Sequence, residues 1–368
     1  MLANEPQPRR PAIDALTSVR FFFAAMVVVG HFIGHFYPSS FSNWPGFVFS
    51  MAPIAVSWFF VLSGFIIAYN YPTLSDGYER KSFMISRFAR LWPVHIITMI
   101  AMVLLQGGGK YYPFFLTMTH TWTASANMSS AYNGPSWSIS DEMFFYLVYV
   151  GLVAPARWLR WLIVAAPIAL SAGLISKYGC LLPDAIATPK CSTLVWMFPP
   201  SRLIEFLTGV AVFHLRPRIP QIIGLAASIC VLGGFVPSVP GLGGDPILAH
   251  FVGQLEVAIG GAALIASLAH DGWLSRLLSV HFLVIGGEIS YAMYMTHQVV
   301  NFTVLPYVET LNLFATAVLV TSITLAVSTG LFYFVEAPVR DAVKGWLRHR
   351  RPKAAFRSVA EGNAERLA

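Results

Sequence analysis

The sequence predicts an all-α fold, a polytopic integral membrane protein of about ten transmembrane helices with both termini cytoplasmic. Three observations predict it. Only 11% of the 368 residues are charged and 56% are hydrophobic, for a mean hydropathy of +0.63, where a soluble protein carries about 25% charge. Apolar stretches approaching the ~20 residues needed to cross a bilayer recur along the chain. Lys and Arg gather in alternate connecting segments, as the positive-inside rule requires. This composition excludes a compact water-soluble enzyme, a disordered chain and a coiled coil.

The spans are justified in order. The first, 18–37, follows Arg9 and Arg10 and opens on Arg20; with no small-x-small site behind it, it reads as an uncleaved segment rather than a signal peptide. The second, 51–69, is almost wholly apolar. The third and fourth, 91–106 and 138–154, are short and polar at one end, and 111–122 between them is too short to cross, which predicts an interfacial or re-entrant piece. The fifth to tenth are 158–176, 200–215, 221–236, 247–269, 282–305 and 313–335. Twenty of the 24 Lys and Arg fall on the side of the termini, and the other four are Lys110, Lys177, Lys190 and Arg202. The organisation is a cytoplasmic N-terminal segment 1–17, a transmembrane domain 18–336 and a basic cytoplasmic tail 337–368.

The net charge of +7 is spread over loops and tail, which suits anionic lipid headgroups and not nucleic acid. Cys180 and Cys191 share the loop after the fifth span, on the predicted outer side, where a disulfide and two unpaired thiols are both open readings. Cys230 lies in an apolar span. No CxxC, HExxH or phosphate-binding loop occurs, so no metal or resident cofactor is expected.

Ionisable residues at bilayer depth are costly and mark sites. Arg20 and His31 are eleven residues apart, three turns plus about 20°, so they share one helix face about 16 Å apart along the axis. His35 continues that face one turn on. Counted from the membrane boundaries, Glu142, Glu205 and His297 fall in the same outer layer as His31. Each has a bland alternative: His31 bonded to a backbone carbonyl, Glu205 paired with Arg202, His297 bonded to Tyr291 or Tyr294, Glu142 capping near Ser138. Arg87 and Arg90, i and i+3, face the same way on the cytoplasmic side and with Arg20 suit a phosphorylated ligand; ordinary positive-inside anchoring is the competing reading. Glu256, Glu288, His95, His120 and His214 read as structural or interfacial.

These residues resemble the acyltransferase 3 family of membrane O-acyltransferases. The family's basic residue, ten residues and His is matched by Arg20 and His31, and its aromatic stretch ending Ser-Gly-Phe by Phe59 to Phe65. Its Arg-x-x-Arg is matched by Arg87 and Arg90, and its Trp-Ser-x-x-x-Glu-x-x-Phe-Tyr by Trp137, Ser138, Glu142, Phe145 and Tyr146. Ile289-Ser290-Tyr291, Tyr294 and His297 match its late Ile-Ser-Tyr element. The similarity runs from about Ala12 to Val335; Asp141 departs from it, an acid where the family more often has an uncharged residue.

The resemblance implies a multi-pass protein of the bacterial inner membrane. Such a protein moves an acyl group, usually acetyl, from cytoplasmic acyl-CoA to a hydroxyl of an exopolysaccharide, a lipopolysaccharide or a lipid-linked precursor. It implies His31 as general base or acyl carrier, Glu142 as the group that orients it or the sugar, and His297 as the group that polarises the thioester. Arg20, Arg87 and Arg90 would bind CoA, and Trp137, Ser138 and Tyr291 the substrate. The chain ends soon after the tenth span, so no fused hydrolase-like domain is expected and the acceptor would meet the membrane domain itself. Two alternatives stand beside this: a small hydrophobic acceptor such as a macrolide or lipid, and a proton-coupled secondary transporter, for which the expected internal repeats are not found.

Overall fold

The computed structural model describes residues 11–36, 44–153, 157–180, 188–233, 246–308 and 311–350. These are helices and their connections, with no strand among the described residues. In chain order they are α1 (Asp14–Phe36), α2 (Trp44–Asn70), α3 (Gly77–Gln106), α4 (Tyr112–Leu116), α5 (Ala126–Ser129) and α6 (Trp137–Leu152). There follow α7 (Arg157–Lys177), α8 (Pro189–Trp196), α9 (Leu203–Leu215), α10 (Gln221–Leu232) and α11 (Pro246–Leu268). The last are α12 (Trp273–Leu278), α13 (His281–Val304), α14 (Leu313–Leu331) and α15 (Ala337–His349).

A helix stands on each of the ten apolar stretches, and among the described residues five helices are long and apolar enough to cross a membrane by themselves. These are Asp14–Phe36, Met51–Asn70, Gly77–Gln106, Leu159–Lys177 and Leu313–His349. Helix α6, with 16 residues, spans only about 24 Å, and α9 and α10, with 13 and 12, are shorter still. Helix α3 begins fourteen residues before the predicted third span, because Asp76 caps it, accepting from the Glu79 amide at 2.7 Å, while Glu79 accepts from the Ser75 amide at 2.8 Å. Arg87 and Arg90 therefore lie inside a helix. Residues 111–122 form the short α4 and turns, tied to α3 by Trp92 Nε1 and His95 Nε2, at 3.1 and 2.9 Å from the carbonyls of Leu116 and Phe115.

At the centre α1 packs between α2 and α13, and α2 also packs on α9. These contacts are backbone-close because glycine faces backbone. A Cβ on Gly287 would lie 1.9 Å from the Thr17 carbonyl oxygen, and Cβ atoms on Gly64 and Gly209 would lie 2.0 and 1.8 Å from those of Phe206 and Val61. Small residues in apolar helices allow this approach. It brings α1 and α13, and with them His31 and His297, to contact distance. Gly209→Ala should therefore destabilise the fold by at least the ~1–3 kcal/mol of an overpacked core, read as a lower melting temperature in detergent. Gly173→Ala, where a Cβ meets nothing within 4 Å, serves as control and should melt no lower than wild type.

Candidate active site

Between α1, α2, α3, α6 and α13 lies a cavity of about 320 Å³. Its apolar lining includes Leu16, Val56, Leu62 and Ile66, and its polar groups come from every one of these helices. Arg20, Arg87 and Arg90 supply positive charge, and Glu142 supplies a carboxylate. Arg87 is held in place: its Nη2 donates to the Tyr71 hydroxyl at 3.2 Å and its guanidinium lies 5.4 Å from the Tyr71 ring centre. Arg20 and Arg90 make no hydrogen bond or ion pair among the described residues, so their donors are available to the cavity. Three guanidiniums in a half-enclosed apolar pocket fit an anionic, phosphate-bearing ligand, since guanidinium donors match phosphate oxygens in pairs.

Glu142 lines the cavity with these arginines, and His31 and His297 do not. Its Oε1 accepts from Ser63 Oγ at 3.0 Å and from the Tyr146 hydroxyl one turn below. Before α6, residues 107–136 fold back onto α3 and α13, with Asn133 Nδ2 donating to the Met295 carbonyl at 2.9 Å. Ser138 and Tyr294 line the same cavity; their hydroxyls are 2.9 Å apart, and both lie near the Pro135 carbonyl, at 3.1 and 3.0 Å. Tyr291, also on the wall, donates to the Leu91 carbonyl at 2.5 Å and so ties α13 to α3. Trp137 is outside the cavity, against Phe60 and below the Arg202 guanidinium.

His31 and His297 do not line the cavity but meet each other beyond it, ring centres 5.1 Å apart. The Tyr294 ring connects the two regions, 6.0 Å from the His297 ring and 6.2 Å from that of Phe59. His31 Nδ1 lies 2.9 Å from the Val27 carbonyl and His297 Nδ1 2.6 Å from the Tyr294 carbonyl. A carbonyl only accepts, so each Nδ1 carries the hydrogen and each Nε2 is left as the basic nitrogen. That tautomer is set by the carbonyl of the preceding turn in both rings. His297 Nε2 is buried and has no hydrogen-bond partner among the described residues. The carbonyl bond of the bland reading is thus present in His31, and it fixes the orientation of the ring.

Glu205 makes the contact its bland reading expects. It forms an ion pair with Arg202 at 3.0 Å, both side chains about 1% exposed, and Arg202 Nη2 also donates to Ser57 Oγ at 2.9 Å. Asp141, fully buried, accepts from Thr121 Oγ1 at 3.3 Å beside this pair. The i,i+3 spacing of Arg202 and Glu205 is legible in sequence; the approach of Asp141 from α6 is not. Cys180 and Cys191 are disulfide-bonded and buried against Ile175, Leu194 and Phe198. Among the described residues no three His, Cys, Asp or Glu are grouped to hold a metal.

Residues 13–333 match the family model described as an acyltransferase domain, the acyltransferase 3 type. The chain is similar to Acyltransferase MdmB of Streptomyces mycarofaciens, 29% identical over 323 residues that cover 80% of each chain. No solved structure matches it.

Proposed function

Since the chain belongs to the acyltransferase 3 family, and is a helical membrane acyltransferase, we propose that it transfers an acyl group, acetyl in the first instance, from cytoplasmic acyl-CoA to a hydroxyl of a cell-surface polysaccharide or its lipid-linked precursor. The observation that carries this is the arginine cavity next to the histidine pair. Arg20, Arg87 and Arg90 would take the CoA phosphates, and the pantetheine arm would run past Phe59 and Tyr294 toward His31. His31 Nε2 takes the proton of the acceptor hydroxyl as its oxygen attacks the thioester carbonyl. The ester C–O bond forms, the C–S bond breaks, and CoA leaves as the thiol with the proton returned from His31. His297, with Nε2 an acceptor 5.1 Å away ring to ring, stabilises the proton on His31. Glu142 holds Ser63 and Tyr146 and keeps a carboxylate within the arginine field.

The same reading has ten spans in the bacterial inner membrane with both termini cytoplasmic. Two observations support it: the 20-to-4 distribution of Lys and Arg, and the Cys180–Cys191 disulfide, which belongs in an oxidising compartment. It puts the arginine end of α1 on the side where acyl-CoA is made. The test uses purified protein and acetyl-CoA labelled in the acetyl carbon. Acyl transfer expects label to leave CoA and to appear on surface polysaccharide or lipopolysaccharide isolated from the producing cell. Loss of acetyl from the polysaccharide of cells without the gene would agree. Proton-coupled transport expects no thioester cleavage at all, and label recovered on a small apolar acceptor but not on sugar would assign the other acceptor class.

A further inference from the structure

Between α14 and α15 the helix passes through a single π turn, Phe332–Glu336, whose last residue carries a carboxylate. Such a turn admits one extra residue and re-aims the side chains around it, and it recurs at functional positions. Here it packs on α3 and α13, and Glu336 is 1% exposed. Its Oε2 has no hydrogen-bond partner among the described residues. The cations whose charge bears on it are Arg90, Arg20 and Arg340, with Glu288 the anion. Arg90 and Arg20 in turn act on each other and on Glu336 without pairing with it.

Two guanidiniums held together in a low-dielectric pocket repel, and an isolated buried carboxylate is equally costly. Placed near one another they offset both costs. Because the carboxylate offsets the arginine charge from a distance, the guanidinium donors remain unoccupied on the cavity side. An arriving phosphate finds its donors open, but it must share the positive field with an anion already there. We infer that Glu336 is the built-in counter-charge of the arginine cavity, which holds down the cavity's affinity for phosphate esters so that CoA can leave after transfer. The inference rests on the reading of that cavity as the CoA phosphate site. Glu336 acts through Arg20 and Arg90 and does not touch substrate.

The sign of the expected effect separates this from a structural role. Glu336→Gln keeps shape and removes the charge, so CoA should bind about tenfold more tightly, the scale of one unit charge acting across several ångström in a protein interior. Acetyl-pantetheine, which has no phosphate, should bind as it does to wild type. Glu336→Asp withdraws the charge by one methylene and should tighten CoA binding by a smaller factor; it carries the test alone if the Gln variant does not fold. Damage to the fold weakens binding and cannot imitate a gain. Unchanged or weaker CoA binding in a folded Gln or Asp variant overturns the inference, and so does equal tightening of acetyl-pantetheine. The two readings fail separately. If Arg90→Ala leaves CoA binding intact, the phosphate site itself is wrong, whereas if Arg90→Ala weakens it and Glu336→Gln does not strengthen it, only the counter-charge falls.

Discussion

His31→Gln is expected to bind acetyl-CoA as wild type does and to lose transfer by about 10²–10⁴-fold, the usual contribution of a general base. Gln keeps the approximate size of His and a hydrogen-bonding amide beside the Val27 carbonyl, which lies 2.9 Å from Nδ1 in the wild type. What it lacks is a nitrogen that takes up a proton at neutral pH. Single-turnover transfer of labelled acetyl, measured beside equilibrium binding of acetyl-CoA, separates the two effects. Retention of substantial transfer would make His31 a structural residue. His35 is the control, one turn further along α1, exposed and in edge contact with Phe36. His35→Gln should cost less than tenfold, and an equal loss would move the base to His35.

The second large effect belongs to the arginines. Arg90→Ala and Arg20→Ala should each weaken CoA binding by about ten- to a hundredfold, since a hydrogen bond to a charged group is worth about 1.5–3 kcal/mol. Acetyl-pantetheine binding should be unchanged. Arg87→Ala should weaken CoA binding too, and should also lower the melting temperature, because Arg87 is bonded to Tyr71 and covers its ring while Arg20 and Arg90 have no such partners among the described residues. Normal CoA affinity in all three variants, with reduced yield or inverted insertion, would leave the arginines as topological anchors only.

Much of this site can be read from the sequence, for reasons that differ by residue. Arg20 and His31 lie on one face because eleven residues is close to a whole number of turns, and α1 is continuous over that distance. Arg87 and Arg90 are legible for the same reason at i and i+3. That Glu142 shares a cavity with Arg20, Arg87 and Arg90 depends on how α6 packs against α1 and α3, which no local pattern encodes. The start of α3 is hidden likewise, since its first turns are polar and only the Asp76 and Glu79 cap marks them. Glu336 follows the predicted tenth span, and no motif singles it out, because a π turn changes the direction of one side chain without changing composition. The Asp141 approach to Arg202 and Glu205 joins parts of the chain some sixty residues apart, which no local pattern encodes.

The central claim is that CoA is held by the arginine cavity with its thioester end toward the histidine pair. A structure of the wild-type protein in lipid nanodiscs with CoA bound tests it most directly. The account predicts the CoA phosphates against Arg20 and Arg90, with the sulfur on the Tyr294 side facing His297 and His31. CoA seated elsewhere, or seated in the cavity with its phosphates away from these arginines, would contradict it.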